Sequence, residues 1–83
     1  MAFKIFVGNL PFAVDSNRLQ QEFAKFGNVE SAKIIIDRNS GRSRGYGFVE
    51  FSDQASADAA VAGMNEKEMD GRKLTVSHAK NQG

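Results

Sequence analysis

Large and small side chains alternate along residues 44–51 with the period of two that is typical of a β-strand. One face of the predicted strand carries Arg44, Tyr46, Phe48 and Glu50, and the other carries Gly45, Gly47, Val49 and Phe51. The second face suits a core, because valine and phenylalanine pack inward and glycine lets a helix come close. The first face combines a cation, two aromatic rings and an acid, which suits neither a core nor water. It is suited to a ligand that joins flat aromatic groups to a charged backbone.

The first third of the chain has the patterns of a strand followed by a helix. Residues 3–7 alternate, with Ile5 and Val7 on one face and Lys4 and Phe6 on the other. Asp15 has the chemistry of a helix N-cap, and the helix is predicted to run to about Phe26, with Gly27 as its stop. The apolar stripe of this helix has the expected spacing of four and three residues, at Leu19, Phe23 and Phe26.

The rest of the chain predicts a hairpin, a second helix and a last strand. A strand over Val29–Asp37 and turn residues at 38–43 predict an antiparallel pair with the strand at 44–51. Asp53 is expected to cap a helix that ends near Met64. The packing face of that helix is Ala57, Ala60, Val61 and Met64. Residues 65–72 are predicted as a polar connection that contains the turn pair Asp70-Gly71, and Leu74 and Val76 mark the last strand.

This order of elements, β-α-β-β-α-β, predicts an α+β fold. Right-handed crossovers place both helices on one face of a four-stranded antiparallel sheet, which is the ferredoxin-like sandwich. The opposite face carries Phe6, Tyr46 and Phe48, and no predicted element is left to cover it. The strands with these rings are expected to be neighbours at the centre of the sheet. We expect one domain over residues 1–80 and a short polar tail at 81–83.

Composition excludes several kinds of chemistry. The chain has no cysteine and one histidine, so disulfides, thiolate metal sites and cysteine nucleophiles are excluded. No clustered pair of carboxylates accompanies the histidine, and we therefore expect no enzyme, no metal and no cofactor. There is no long apolar run and no signal-peptide core, which predicts no membrane partner. We expect an intracellular location, cytoplasmic if the source is bacterial, with an organelle or the nucleus left open.

The aromatic patch and the nearby charges narrow the choice of ligand. Three rings on an uncovered face form a patch that usually marks a binding site, although a second small core or a dimer interface would also use one. Nucleobases match the rings because stacking on an aromatic side chain contributes about 1–3 kcal/mol per base. The net charge is only +1, but three arginines and no acid occur from Arg38 to Arg44. Glu50 and Asp37 lie near the expected binding face, which predicts few phosphate contacts and modest affinity.

Two segments resemble a known family. Residues 44–51, Arg-Gly-Tyr-Gly-Phe-Val-Glu-Phe, fit the eight-residue ribonucleoprotein motif of the RNA-recognition motif at every position. Residues 5–10, Ile-Phe-Val-Gly-Asn-Leu, resemble its six-residue companion on the first strand. The resemblance extends over nearly the whole chain and is strongest to the compact single-domain members of bacteria and to chloroplast ribonucleoproteins. It implies the ferredoxin-like fold and binding of single-stranded RNA by a monomer.

The resemblance also implies roles for individual residues. Phe6 and Phe48 would each stack on a base, Tyr46 would pack against the sugars between them, and Arg44 would pair with a phosphate. Asn9 would make a turn hydrogen bond. Further RNA contacts are implied for the loop arginines, the flanking lysines and the residues after the last strand, namely Arg38, Arg42, Lys4, Lys33, Ser77 and Lys80. His78 is expected to pack near the sheet edge.

Other functions of this fold and other ligands are the alternatives to RNA binding. The fold also hosts acylphosphatases, which need an arginine in the loop after the first strand, and residues 8–12 contain no cation. Some RNA-recognition motifs bind peptides through an Arg-x-Phe before the last strand, and residues 72–74 read Arg-Lys-Leu. The helix backs remain free for a protein partner. Single-stranded DNA is open as a ligand, because the choice depends on 2′-hydroxyl contacts that a pattern does not fix.

Overall fold

The computed structural model describes residues 3–36, 39–41 and 43–79, with only the backbone described at 43 and 44. In chain order its elements are β1 (Phe3–Gly8), α1 (Ser16–Ala24), β2 (Val29–Ile36), β3 (Ser43–Phe51), α2 (Gln54–Met64), β4 (Glu68–Met69), β5 (Arg72–Lys73) and β6 (Thr75–His78). The predicted β-α-β-β-α-β order is confirmed, with one small hairpin, β4 and β5, added before the last strand.

The main sheet has four strands in the order β2-β3-β1-β6, and each neighbouring pair is antiparallel. The two strands that carry the aromatic motifs, β1 and β3, therefore hold the central positions, as predicted. Helix α1 packs on β2 and β3, and α2 packs on β1, β3 and β6. This is the ferredoxin-like sandwich. Among the described residues, no segment packs on the other face of the sheet, which we call the open face.

The core lies between the sheet and the helices. The inward residues of the central strands, Ile5, Val7, Val49 and Phe51, are completely buried, as are Leu19, Phe23, Ala57, Ala60 and Met64 of the helices. These residues belong to one hydrophobic cluster. Among the described residues, no polar or charged residue is buried. The hydrophobic core therefore lies on one side of the sheet.

Both predicted N-caps are confirmed. The Asp15 carboxylate accepts a hydrogen bond from the Arg18 amide at 2.8 Å. The Asp53 carboxylate accepts from the Ser56 amide at 2.9 Å and from the Ser56 hydroxyl at 2.8 Å. Each carboxylate satisfies an amide that has no partner within its own helix.

The end of α1 differs from the prediction by two residues. The helix ends at Ala24 rather than near Phe26, because the Phe26 amide donates to the Phe23 carbonyl at 3.1 Å and tightens the last turn. Gly27 has a packing role after this turn, since a Cβ there would collide with the Ser56 side chain at the start of α2. Glycine thus lets the chain after α1 lie close to the start of α2.

The glycines of β3 do not make room for a helix, and this part of the prediction is wrong. A Cβ at Gly47 would collide with the Lys33 carbonyl oxygen and would lie 3.2 Å from the Ile34 Cα, and both atoms belong to β2. Gly45 has a φ of +85°, a conformation that L side chains rarely adopt, and its carbonyl accepts from the Leu10 amide at 2.8 Å. Gly47 therefore lets β2 lie close to β3, and Gly45 allows the positive φ near the start of β3.

The predicted polar connection at 65–72 contains the β4–β5 hairpin. Asp70 and Gly71 have φ values of +52° and +83°, as a tight two-residue hairpin turn requires. The Asp70 carboxylate forms an ion pair with Arg18 of α1 at 3.0 Å, and this hydrogen-bonded guanidinium holds the pKa of Asp70 below its usual range. The last strand begins at Thr75 rather than Leu74, although Leu74 is buried in the core.

The Asp53 cap predicts a change in the acid sensitivity of the fold. Hydrogen bonds from Ser56 lower the pKa of Asp53 below 3.8, so the stability that this carboxylate contributes is present above that pH and is lost as the pH falls through the lower, folded-state pKa. Asparagine caps a helix about as well but does not titrate. We expect Asp53→Asn to unfold like the wild type near neutral pH and to lose less stability in acid.

Urea denaturation from about pH 7 to about pH 2 measures this difference. Parallel curves of unfolding free energy against pH for the two proteins would contradict the role assigned to the Ser56 hydrogen bonds.

Candidate functional site

One row of paired residues crosses all four strands on the open face. Lys33 of β2 pairs with Phe48 of β3, Phe48 pairs with Phe6 of β1, and Phe6 pairs with Ser77 of β6. The row therefore places two aromatic rings side by side, with an ammonium group on one flank and a hydroxyl group on the other. Four of the predicted site residues are brought together in this way.

Tyr46 completes a cluster of three rings. It pairs with Gly8 on β1, and its ring centroid lies 5.7 Å from that of Phe6 and 6.4 Å from that of Phe48. The Phe6 and Phe48 centroids are 5.8 Å apart. All three side chains are partly exposed, because each ring shields part of its neighbours. The predicted three-ring arrangement at the centre of the open face is present.

The three rings do not form a flat floor. The planes of Phe6 and Phe48 meet at 64°, and those of Tyr46 and Phe48 meet at 88°. Two flat groups stacked on Phe6 and Phe48 would therefore be inclined to each other. This arrangement fits separate, splayed rings of a ligand better than a continuous stack.

Gly8 makes room for the Phe6 ring. A Cβ at Gly8 would lie 2.8 Å from one ring carbon of Phe6, which is closer than real side chains approach. Gly8 was not predicted as a site residue. Gly8 lies two residues after Phe6 and therefore on the same face of the strand, and this spacing could have identified it. Gly8 is thus part of the site through its lack of a side chain.

Two lysines lie beside Phe48. The Lys4 Nζ is 5.4 Å from the centre of the Phe48 ring, over one of its faces, which is a cation–π distance. Lys33 is the cross-strand neighbour of Phe48. Together with neighbouring residues they line a shallow depression of about 360 Å³, whose lining residues are Lys4, Ser31, Lys33, Ile35, Phe48 and Glu50.

Ser31 and Ile35 were not predicted as site residues. Both alternate with the inward residues Ala32 and Ile34 of β2, so the period of two was the signal that could have identified them. The depression itself depends on how β2 lies against β3. The pairing of these strands shifts between Val29 and Ser31 and again between Ile34 and Ile36, and no sequence pattern predicts such shifts.

Several predicted contacts lie outside the described residues. Arg38, Arg42 and Lys80 are among them, as are Asp37 and the tail at 81–83. Arg44 lies in β3 two residues before Tyr46, and its side chain is also outside the described part. The phosphate contacts of these residues remain predictions.

Asn9 makes structural hydrogen bonds, although they are not local turn bonds. Its side-chain amide donates to the Lys73 carbonyl at 2.7 Å, and its amide oxygen accepts from Arg72 Nη2 at 2.9 Å. The same Arg72 guanidinium lies 5.5 Å from the centre of the exposed Phe12 ring. Asn9 therefore ties the end of β1 to the β4–β5 hairpin.

The His78 side chain contacts the helix layer and not the three rings. Its Nε2 lies 2.9 Å from a carboxylate oxygen of Asp58 on α2. His78 is at the edge strand of the sheet, as predicted, and is half exposed. Within the described residues, no three histidine, cysteine or acidic side chains are grouped as metal ligands. No helix of the described chain is long and apolar enough to cross a membrane.

Comparison with known proteins gives a consistent result. The family model for the RNA recognition motif matches residues 5–75. The chain is 47% identical over 81 residues to a glycine-rich RNA-binding protein of Daucus carota, covering 98% of this chain and 52% of that protein. It is 47% identical over 79 residues to the mitochondrial glycine-rich RNA-binding protein 2 of Arabidopsis thaliana, covering 95% of this chain and 50% of that protein. The chain thus spans about half the length of the curated relatives that it matches.

Solved structures show the same fold. The crystal structure of RNA-binding protein PG1 superposes with a TM-score of 0.92 at 41% identity and covers 98% of each chain. The Rna15 RRM with bound RNA (GU) superposes with a TM-score of 0.86 at 28% identity, covering 96% of this chain and 85% of that one. The curated relatives described above are plant proteins, one of them mitochondrial. They give no support to a bacterial source, which was the condition for expecting a cytoplasmic location.

Proposed function

The chain belongs to the RNA recognition motif family, and we propose that it binds single-stranded RNA as a monomer through the open face of its sheet. The relatives described above are named as RNA-binding proteins and not as enzymes. The proposed binding unit is the domain at residues 1–80. An intracellular location belongs to the same proposal, because that is where its RNA ligand occurs.

The observation that carries this proposal is the cluster of Phe6, Tyr46 and Phe48 at the centre of a face that no described segment covers. The 64° between the Phe6 and Phe48 planes suits two unpaired bases that each stack on their own ring. A duplex keeps its bases parallel and paired, so it cannot offer them in this way. Tyr46 lies beside both rings and would contact the sugar between the two bases.

Stacking alone gives weak binding. At about 1–3 kcal/mol per base, two stacked bases contribute roughly 2–6 kcal/mol, and a micromolar complex needs about 8 kcal/mol. The described lysines beside Phe48 supply part of the difference by contacting phosphates or base edges. Arg44 and the loop arginines Arg38 and Arg42 are proposed phosphate ligands, while Lys80 and the main chain near Ser77 are proposed contacts at the other side of the sheet.

Some support comes from the relatives. The Rna15 domain, which shares this fold, has been solved with RNA bound. Relatives of about twice this length are named as RNA-binding proteins. RNA binding is therefore proposed for this domain.

The stacking proposal predicts a loss of affinity when either ring is removed. Phe48→Leu and Phe6→Leu keep an apolar side chain but remove the π-face, and each should raise the Kd for a short single-stranded RNA about 5- to 150-fold, the equivalent of about 1–3 kcal/mol. Phe26→Leu is the matched control, because Phe26 packs among the helices and should leave the Kd unchanged. Fluorescence anisotropy measures the affinity, and thermal unfolding shows that each variant folds.

Folded Phe6 and Phe48 variants with the wild-type Kd would contradict stacking on the open face. Absence of RNA binding by the folded wild type would instead favour a protein-interaction module. The same titration with DNA of equal sequence distinguishes RNA from single-stranded DNA as the ligand.

The charge distribution predicts a shallow dependence of affinity on salt. With a net charge of +1 and Glu50 on the binding face, we expect only a few released counterions, and a slope of log K against log[salt] between about −2 and −4. Removing one proposed phosphate ligand, as in Arg44→Gln, should make the slope about 0.7 less steep. A wild-type slope steeper than about −5.6, equivalent to eight phosphates, would contradict this footprint.

A further inference from the structure

Glu50 is an unexpected residue on a face proposed to bind a polyanion. It pairs with Lys4 on β1 and with Ser31 on β2, and it lines the depression next to the Phe48 ring. Its carboxylate makes no ion pair or hydrogen bond with any described residue. Its acceptor positions are therefore available in the depression, within reach of whatever stacks on Phe48.

We propose that this depression is a guanine-selective subsite, in which the Glu50 carboxylate accepts hydrogen bonds from the N1–H and the 2-amino group of a guanine stacked on Phe48. This inference rests on the proposed RNA binding and adds to it a preferred base and the residue that selects it. A phosphate placed against Glu50 would be repelled by its carboxylate, so the Glu50 side of the depression favours a base edge.

The donor and acceptor pattern of guanine matches the lining better than that of the other bases. A carboxylate has two oxygens and binds two parallel donors best. Guanine carries two adjacent donors on its Watson–Crick edge, and its O6 and N7 are acceptors that lysine recognises. Adenine and cytosine offer one amino group beside an acceptor that the carboxylate repels, and uracil offers one N–H between two carbonyl groups.

The two lysines complete this recognition. Lys33 lies on the opposite flank of Phe48 from Phe6 and supplies an ammonium donor for acceptors of the base. The Lys4 ammonium now lies over a face of the Phe48 ring, 5.4 Å from its centre. A base that stacks on this ring face displaces the ammonium. The flexible four-carbon chain of Lys4 allows this movement. The displaced ammonium stays next to Glu50, where it can reach the guanine O6 or a phosphate.

A simpler role for Glu50 makes the opposite prediction. Opposite charges on directly paired residues stabilise a sheet, and Glu50 and Lys4 are such a pair. If that were its whole role, Glu50 would only repel RNA. Removing its charge would then raise affinity for every sequence by the same factor.

The test is a matrix of proteins and ligands measured by fluorescence anisotropy. The ligands are five-nucleotide uridine RNAs with a central guanosine, inosine, adenosine, cytidine or uridine. Inosine is guanosine without the 2-amino group. We expect the wild type to bind the guanosine RNA at least about fivefold more tightly than the other four, which corresponds to the lower end of a bidentate contact.

Glu50→Gln should abolish this preference. The variant should bind the guanosine RNA more weakly than the wild type, and the uridine RNA as tightly or more tightly, because the repulsion is gone. The ratio of the affinities for the guanosine RNA and the inosine RNA should fall towards one. This ratio isolates the contact between Glu50 and the 2-amino group. Glu22→Gln on α1, in the helix layer, changes the net charge equally and should keep the wild-type ratios. Thermal unfolding checks that each variant is folded.

Two results would overturn the inference. One is a wild type that binds all five RNAs equally, and the other is a Glu50→Gln variant whose affinity changes by one common factor. Both leave RNA binding itself intact. Failure of the wild type to bind any of the five RNAs would count against the proposed function as well. In that case Phe48→Leu and the wild type would not differ in RNA binding.

Discussion

The packing of both helices on one face of the sheet is the constraint on which the other features depend. The buried residues of the strands and helices belong to a single cluster on that side, and no described segment covers the other. The crossovers that produce this packing also place β1 and β3 at the centre of the sheet. The sequence motifs on these two strands therefore meet in the middle of an open surface. Their aromatic residues share one surface because of the connectivity of the chain.

The composition of the open face then determines which ligand it suits. Each ring of Phe6, Tyr46 and Phe48 is partly shielded by the other two, which limits the cost of leaving aromatic groups without a protein cover. Their inclined planes favour bases that are splayed from one another. The lysines and Glu50 around Phe48 provide both donors and an acceptor, and this mixture suits base edges as much as phosphates. A near-neutral face of this kind favours selectivity over electrostatic affinity.

The parts of the structure that follow from local periodicity were predictable from the sequence. They include the caps at Asp15 and Asp53 and the order of helices and strands along the chain. The meeting of the three rings was predicted from that order. The parts that depend on fine backbone geometry were not. Gly47 accommodates the neighbouring strand rather than a helix, and the pairing of β2 with β3, which line the depression beside Phe48, is irregular. The β4–β5 hairpin was also missed, because strands of two residues are too short to produce an alternating pattern.

Occupation of the open face by RNA can be measured by an NMR titration of the ¹⁵N-labelled domain with a short single-stranded RNA. We expect the largest amide shifts along the row of Lys33, Phe48, Phe6 and Ser77 and in the adjoining residues of β1 and β3, with α1 and α2 little affected. Shifts confined to the helices, with the central strands unchanged, would contradict the account.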